Sequence, residues 1–166
     1  GENGAGKSTL LKLIAGLIPS QQMIYWHQQD IATLKPIQLW EQISLLWQNP
    51  ETHFLFNSVA EEVGQQGKIL AEFNLSHQAL QNPFTLSEGQ KRRLSLAIAL
   101  NQRPQLILLD EPSFGQDYTN KLRLIEYINA LALTGVSFIM VSHDLNFVNA
   151  VSQKVYELRA GELVSC

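Results

Sequence analysis

The chain begins with a glycine-rich segment whose residue types and spacing suit the binding of a polyphosphate. It follows the pattern G-x-x-x-x-G-K-[ST] of a phosphate-binding loop (P-loop), in the order Gly1, Glu2, Asn3, Gly4, Ala5, Gly6, Lys7, Ser8 and Thr9. Glycines allow consecutive backbone N–H groups to turn inward and form a nest for anions. The motif predicts that Lys7 contacts the β- and γ-phosphates of a nucleoside triphosphate and that the Ser8 hydroxyl binds Mg²⁺.

A pair of acidic residues follows an apolar run in the second half of the chain. Residues 106–109 are Leu-Ile-Leu-Leu, and Asp110 and Glu111 come next. A buried parallel strand delivers such residues at its carboxyl end, where ligands bind in open α/β sheets. We predict that Asp110 holds Mg²⁺, directly or through water, and that Glu111 polarises a water aimed at the γ-phosphate. A solvated strand end would explain the pair by itself, but the preceding P-loop favours the functional interpretation.

One of the four histidines stands in a context that suits the same chemistry. His143 follows the apolar run 137–141 and precedes Asp144. It is predicted to reach the γ-phosphate beside Glu111 as a hydrogen-bonding sensor that positions water and phosphate. The other three (His27, His53 and His77) have no partner spacing and are expected to be surface or partly buried residues. Metal binding by His143 is not expected, because no second His or Cys lies at ligand spacing.

Composition limits the classes of protein to which the chain can belong. Its 166 residues fit one domain, and few charged residues (16%) beside 45% hydrophobic residues indicate sizeable faces buried in the fold or against a partner. The net charge of −3 argues against a nucleic-acid partner. Cys166, the only cysteine, excludes an internal disulfide and fits a reducing compartment. No apolar run approaches the roughly 20 residues of a membrane span, so direct membrane insertion is not expected.

Alternating strand and helix patterns predict an α/β fold with a parallel core that positions these groups. The predicted helices cover residues 7–17, 88–100 with Ser87 as N-cap, and 117–133 with Leu122, Ile125, Ile128 and Ala132 on one face. The predicted strands are a short one at 23–26, two buried ones at 106–109 and 137–141, and a hairpin of 155–158 with 162–164. Residues 39–47 suit either a helix or a strand, and 58–80 predict short helices interrupted at Gly64 and Gly67.

The segment Leu86–Arg93, which reads L-S-E-G-Q-K-R-R, resembles the L-S-G-G-Q signature of ATP-binding-cassette (ABC) ATPases. The other motifs of that family occur in order, so the resemblance covers nearly the whole chain. They are Gln48 for the Q-loop, Asp110-Glu111 for the second nucleotide motif, Ser113–Asp117 for the D-loop and Val141–Asp144 for the switch-histidine motif.

This resemblance implies a P-loop NTPase fold, with a RecA-like core around a parallel sheet and a small helical subdomain. Residues 1–166 would form one partial ABC ATPase domain. About 1–50 and 104–166 would be its catalytic core, and about 51–103 its helical signature subdomain. The family places its first strands before the P-loop, where this chain has no residues. The chain is therefore expected to be truncated at its N-terminus and to fold poorly alone or bind ATP weakly.

In the family, two cassettes meet head to tail, and the signature of one closes over the ATP held by the other. The resemblance implies that Ser87, Gly89 and Gln90 act in trans, and that Asp117 communicates across the dimer. It further implies that Gln48 joins Ser8 and Asp110 in serving Mg²⁺, and that Glu111 is the general base and His143 the sensor. Glu88 stands where the common motif has Gly, and it is expected to point away from the phosphates or to lie at the rim.

The stretch that follows Gln48 is similar to that of energy-coupling-factor importers, which take up vitamins and transition-metal ions. It combines Asn49-Pro50 with Phe54 and Phe56, and then an acidic pair. The similarity implies an ATPase subunit at the cytoplasmic face of the cell membrane, held there by integral membrane subunits. A second cassette, either identical or a sister chain, would complete the dimer. Phe54 and Phe56 either pack in the core or line an apolar groove that receives a coupling helix.

Three alternatives remain beside this interpretation. A soluble ABC ATPase of DNA repair or translation would need basic surfaces or large insertions, and the chain shows neither. A P-loop kinase for a small molecule disagrees with the signature segment Leu86–Arg93. The third alternative is an inactive truncated fragment. The sequence does not identify the cargo.

Overall fold

The computed structural model describes residues 4–20, 24–159 and 161–166. Its centre is a parallel three-stranded sheet of β3 (Ile43–Leu46), β4 (Leu106–Asp110) and β5 (Ser137–Val141), in the order β3-β4-β5. Leu46 lies opposite Leu109, and Asp110 lies opposite Val141. Every residue of β4 is buried, which confirms the predicted buried strand.

The prediction for β5 as a second buried strand was wrong in part. The strand is present and parallel to β4, but none of its residues is fully buried, and Ile139 is 39% exposed. Within the described ranges β5 is hydrogen-bonded on one side only, to β4. An apolar run predicts a strand well, but it does not indicate how much of each face is covered.

Two helices cover the two faces of the sheet and create two hydrophobic cores. Helix α1 (Lys7–Ile14) buries Leu11 against Leu106 and Leu108 of β4. Helix α5 (Glu88–Asn101) packs on the opposite face, where the intervening β4 residues Ile107 and Leu109 lie. Alternate side chains of β4 therefore support the helix that follows the P-loop and the helix that begins at the signature segment.

Helix α1 ends earlier than predicted. Its last residue is Ile14, and Gly16 then adopts the left-handed backbone (φ +68°) that ends many helices. The predicted end at residue 17 was wrong, because Gly16 already stops the helix.

Short helices fill the chain between the first two strands of the sheet. The ambiguous region 39–47 contains both element types, since α2 (Pro36–Trp40) is followed by β3. From Pro50 to Asn101 every described element is helical, and Gly67 begins a helix instead of interrupting one. The elements are the 3₁₀ helices Pro50–His53, Ser76–Gln78 and Pro83–Thr85, and the α-helices α3 (Val59–Glu62), α4 (Gly67–Glu72) and α5.

Helix α6 (Tyr118–Leu133) buries the predicted face only in part, because Ile128 is buried and Ile125 packs against the core but Ala132 is exposed. Leu124 and Ile128 are its buried residues, whereas Leu122 is 42% exposed. The helix packs against α7 (Leu145–Val151), and its Tyr127 stacks on Phe73. Its apolar residues are spread around the helix, so their spacing alone does not select the buried face.

Two small antiparallel hairpins complete the described fold. In the first, β1 (Tyr25–Trp26) pairs with β2 (Gln29–Asp30), which confirms the predicted short strand at those residues, while Met23 lies outside the described residues. The second pairs β6 (Tyr156–Arg159) with β7 (Glu162–Ser165), as predicted. Among the helices that the structure describes, none has the length and apolar character needed to cross a membrane.

Candidate functional site

The described part of the P-loop has the backbone geometry of an anion site. Gly4 and Gly6 adopt left-handed backbone, with φ +83° and +95°, and α1 begins directly afterwards at Lys7. Among the described residues no side-chain hydrogen bond caps this end of α1, and the start of a helix favours an anion. Ser8 and Thr9 are exposed on that turn. Gly1, Glu2 and Asn3 lie outside the described residues.

The two predicted acids lie at the carboxyl end of β4. Asp110 is its last residue and is buried. Glu111 has a left-handed backbone (φ +46°), an uncommon conformation for a residue with a side chain, and its N–H donates to Val141 O at 2.9 Å. The Glu111 Oε1 atom is buried and accepts no hydrogen bond from the described residues. The carboxylate therefore keeps an acceptor position for a further group.

The structure brings His143 next to Glu111, as the sequence predicts. The His143 backbone N–H donates to Glu111 Oε2 at 3.2 Å. The imidazole Nε2 lies 3.2 Å from Oε1, without the alignment of a hydrogen bond. Glu111 and His143, the general base and the sensor expected from the resemblance, thus lie in contact at the carboxyl ends of β4 and β5.

The turn that carries His143 is fixed by an ion pair that the sequence did not predict. Lys121 Nζ donates to Asp144 Oδ2 at 2.6 Å, and Asp144 also caps α7 by accepting from Phe147 N at 3.1 Å. The hydrogen bond from Lys121 is the largest cause that lowers the pKa of Asp144. Lys121 lies 22 residues before His143 on α6, where no local motif indicates the contact.

These groups fit a triphosphate with its divalent cation. The start of α1 and the P-loop glycines Gly4 and Gly6 could supply backbone donors to phosphate. The Ser8 hydroxyl and the Asp110 carboxylate could supply oxygen ligands to a cation. Hydroxyl and carboxylate oxygens are the ligands that Mg²⁺ prefers, and α1 packs against β4, which carries Asp110.

Gln48 is exposed in the segment that directly follows β3. We refer to residues 47–51 as the Q-loop segment. Its Asn49 caps the following 3₁₀ helix by accepting from Glu51 N at 3.0 Å, and its Trp47 N–H donates to His53 Nε2 at 3.1 Å. Burial is the main cause that lowers the pKa of His53 to about 4, and the nearby Arg92 charge is the second. His53 therefore acts as a neutral acceptor, which agrees with its predicted partly buried role.

Stability is expected to fall on acidification because of His53. The folded pKa of about 4 lies below the ordinary value of 6.5, so the unfolded chain gains this proton first as pH falls. The contribution is complete above pH 6.5 and decreases toward pH 4, by up to about 3 kcal/mol. Urea unfolding at stepped pH would measure it. His53→Gln should flatten the pH dependence in this range, whereas His77→Gln, at an exposed position, should not. An equal slope in both variants would contradict this assignment.

The signature segment forms the start of α5. Ser87 Oγ accepts from Gln90 N at 3.4 Å, and Gln90 Oε1 accepts from Ser87 N at 2.9 Å, which is a capping box. Ser87 is exposed, as a contact in trans requires. The Glu88 carboxylate accepts a hydrogen bond from Lys91 Nζ, three residues later in the same helix, at 3.0 Å. Its carboxylate is therefore paired with a cation of its own helix.

Gly89 fits closely against the start of α6, a contact that the sequence did not predict. A Cβ atom at Gly89 would lie 2.5 Å from Asn120 Oδ1. Asn120 in turn donates through Nδ2 to Asp117 Oδ2 at 3.0 Å, and Asp117 caps α6 by accepting from Asn120 N at 2.7 Å. The absence of a side chain at Gly89 thus serves a contact within the chain, between the signature segment and the D-loop residue Asp117.

Gly89→Ala is expected to destabilise the fold by about 1–3 kcal/mol, because the new methyl group displaces the bonded Asn120 side chain. Asn120→Ala should cost less and should remove most of the penalty of the first change in the double variant. Urea unfolding of the two single variants and the double variant gives the coupling energy directly. Additive effects would contradict the packing explanation and leave Gly89 with a role toward a ligand only.

A family model described as ABC transporter matches residues 1–114. A Bacillus subtilis (strain 168) protein named "Putative HMP/thiamine import ATP-binding protein YkoD" is 35% identical over 95% of this chain and 31% of its own length. The "Putative ABC transporter ATP-binding protein alr3946" of Nostoc sp. (strain PCC 7120) is 34% identical over 99% of this chain and 66% of its own length. The chain thus spans less than two thirds of these curated relatives.

Two solved structures share the fold. CbiO1 from Clostridium perfringens, described as part of the ABC transporter complex CbiONQ, gives a TM-score of 0.85 at 24% identity. The alignment covers 99% of this chain and 73% of CbiO1. A nucleotide-free ATP-binding cassette from an ABC transporter gives 0.86 at 23% identity over 98% of this chain and 76% of its own. These likenesses establish a P-loop NTPase fold of the ATP-binding-cassette kind, as predicted.

Proposed function

Since the chain belongs to the ABC transporter family of ATP-binding proteins, we propose that it hydrolyses ATP to power an importer of the energy-coupling-factor type. The observation that carries the hydrolytic part is the contact of Glu111 with His143. It places a carboxylate with an unused buried oxygen at the sheet edge where β4 and β5 end. The similarity to YkoD, whose name refers to HMP/thiamine import, supports the importer class.

Each sequence-predicted residue has a role in this proposal. The P-loop residues 1–9 hold the phosphates, with Lys7 toward the β- and γ-phosphates. Ser8, Asp110 and Gln48 hold Mg²⁺, which neutralises charge on the phosphates when bound. Glu111 accepts a proton from the attacking water, and the His143 N–H holds its carboxylate in place. The imidazole of His143 faces the same carboxylate and contacts the γ-phosphate.

The proposed active unit is a dimer of cassettes. Ser87, Gly89 and Gln90 would approach the triphosphate held by the second cassette, which is either identical or a sister chain. The positive end of α5 favours an anion at that position, and the pairing of Glu88 with Lys91 reduces the repulsion from the Glu88 carboxylate. Asp117 contacts Asn120, which packs against Gly89, so closure of the signature segment onto the triphosphate would be transmitted through Asp117 to the second cassette.

We further propose a division into two subdomains. The core would comprise about residues 1–50 and 104–166, which contain the parallel sheet and both hairpins. The helical subdomain would comprise about residues 51–103, where the described elements are all helical. ATP binding would move the helical part, which carries the signature segment, relative to the sheet and hairpins of the core, with residues 47–51 at the boundary between the two parts.

Integral membrane subunits are the proposed second partner, and they would hold the chain at the cytoplasmic face of the membrane. Support comes from CbiO1, described as part of the ABC transporter complex CbiONQ, and from an exposed apolar surface of this chain. Phe54 is 6% exposed and packs in the core, whereas Phe56 is 51% exposed and Leu55 more so. The buried carboxylate of Glu62 accepts from both Leu55 N and Phe56 N, at 2.7 and 2.8 Å. Leu55 and Phe56 are thus held at the surface by a bonded backbone.

Co-purification tests the transporter assignment. The intact protein should hydrolyse ATP and should copurify with an integral membrane protein that mass spectrometry identifies. Leu55→Ser with Phe56→Ser should abolish this association and leave ATP binding intact, because both side chains lie at the surface. Leu133→Ser, at another exposed apolar position, is the matched control. ATP hydrolysis without a membrane partner would favour a soluble ABC ATPase.

A further inference from the structure

Helix α5 is hydrogen-bonded to the Q-loop segment through a buried arginine. Arg92 Nη1 donates to Trp47 O at 3.1 Å, and Nη2 donates to Gln48 O at 2.7 Å. The second bond is to the backbone of the residue proposed to contact Mg²⁺. Because the guanidinium is planar, two bonds to successive carbonyls fix both the position and the direction of this backbone.

Lys91, the residue before Arg92 in α5, also contacts the Q-loop segment. Lys91 Nζ lies 2.5 Å from Glu51 Oε1, at the end of the Q-loop segment, and 3.0 Å from Glu88 Oε1 in the signature segment. Lys91 is buried, and the hydrogen bond to Glu51 is the largest cause that raises its pKa. One ammonium therefore pairs with a carboxylate from each of the two motifs.

A third contact follows one helical turn later. The buried Ser95 Oγ lies 3.2 Å from Pro50 O, to which it can donate, and 3.1 Å from Lys91 O of its own helix. Three residues on one side of α5 thus contact the Q-loop segment at four residues: Trp47, Gln48, Pro50 and Glu51.

Packing alone explains this arrangement poorly. Arg92 is buried, and its Nε atom has no partner among the described residues, so the guanidinium loses solvation that two carbonyl acceptors replace only in part. Buried charged groups of this kind are often no more stabilising than apolar residues of similar volume. The adjacent Arg93 provides a contrast, because its Nε donates to Phe73 O at 3.0 Å, away from the Q-loop segment.

We propose that Arg92 and Lys91 are positioning residues that tie the Q-loop segment to the signature helix, so that Gln48 and Ser87 move together. This inference rests on the proposed function, because Gln48 matters only if ATP is hydrolysed. Arg92 sets the backbone of Gln48, and Lys91 joins Glu51 to Glu88. Closure of Ser87 onto the triphosphate of the second cassette then carries Gln48 toward its own nucleotide site.

Arg92→Lys, compared with Arg93→Lys, tests the proposal in the intact protein. A lysine at 92 keeps the charge but cannot bond two successive carbonyls in one plane. We expect kcat for ATP hydrolysis to fall about tenfold and KM for ATP to change less than twofold, because the P-loop residues bind the phosphates. Lys91→Met and Glu51→Gln should lower kcat in the same direction, and Lys91→Arg should restore most of it. Arg93→Lys should leave both constants within twofold.

Hydrogen exchange supplies a readout that does not depend on turnover. In the unmodified protein, saturating ATP should slow exchange at the amides of residues 47–52 and 87–90 together. In Arg92→Lys, residues 87–90 should still respond, and residues 47–52 should lose most of their response. If residues 47–52 respond equally in both arginine variants and kcat is the same, the inference is wrong while the proposed function stands. If the unmodified protein does not hydrolyse ATP, the proposed function fails first, and this inference fails with it.

Discussion

Glu111→Gln is expected to lower ATP turnover by roughly 10²–10⁴-fold, the usual contribution of a general base, with little loss of ATP binding. Glutamine has nearly the same shape, and its side-chain oxygen can accept from the His143 N–H as Glu111 does now. It cannot take a proton from water. The variant should therefore accumulate as an ATP-bound dimer, which light scattering after gel filtration would detect beside a phosphate-release assay.

Glu126→Gln is the matched control for this prediction. Glu126 is an exposed carboxylate on α6, so its replacement changes the net charge equally without touching the site. Turnover in the control should stay within twofold of the unmodified protein. If Glu111→Gln hydrolyses ATP at an unchanged rate, Glu111 is not the base, and the proton must be accepted by another group.

Leu108→Ala is expected to destabilise the protein by about 2–5 kcal/mol, the range for truncating a fully buried leucine. Leu108 lies in the central strand of the sheet and has no exposed surface. It packs in the same core as Leu11 of α1. The cavity would therefore loosen the helix that follows the P-loop, and nucleotide affinity should fall together with stability. Urea unfolding and ATP titration measure the two effects.

Leu133→Ala provides the comparison at an exposed leucine. Leu133 ends α6 and is 91% exposed, so its truncation should change the free energy of unfolding by no more than about 0.5 kcal/mol. A loss below about 1 kcal/mol for Leu108→Ala would mean that the core beneath α1 closes around the cavity. The described support of the P-loop would then be less rigid than the packing indicates.

Features that depend on a few consecutive residues could be predicted from the sequence. The P-loop motif, the acidic pair at the end of β4 and the Ser87 cap of α5 each follow from local backbone chemistry. His143 could be placed near Glu111 because both follow strands of one parallel sheet, whose carboxyl ends meet at one edge.

Contacts between distant parts of the chain could not be predicted in this way. Arg92 bonds to Gln48 across 44 residues, and Lys121 reaches Asp144 across 23. Nothing in the sequence around either cation indicates its partner, because a charged residue within a helix is most often solvated. The left-handed backbone of Glu111 could not be predicted either, since that conformation is set by the surrounding turn and not by the residue type.

The partly wrong prediction for the buried face of α6 has a related cause. The periodicity of its apolar residues placed Leu122 on the same face as Ile128, but the packing of α7 and the stacking of Phe73 on Tyr127 bury Leu124 beside Ile128 and leave Leu122 exposed. Tertiary partners thus decided between neighbouring stripes of similar hydrophobicity, and the partners are not visible in the helix itself.

The cap at Ser87 divides one hydroxyl group between two tasks. Its oxygen lone pair accepts the Gln90 N–H and stabilises α5, and an oxygen that accepts in this way still keeps its hydrogen for donation. An aspartate at this position would begin a helix equally well but would offer only negative charge to whatever approaches. Serine therefore caps the start of α5 and can still donate a hydrogen bond to an anion that binds there.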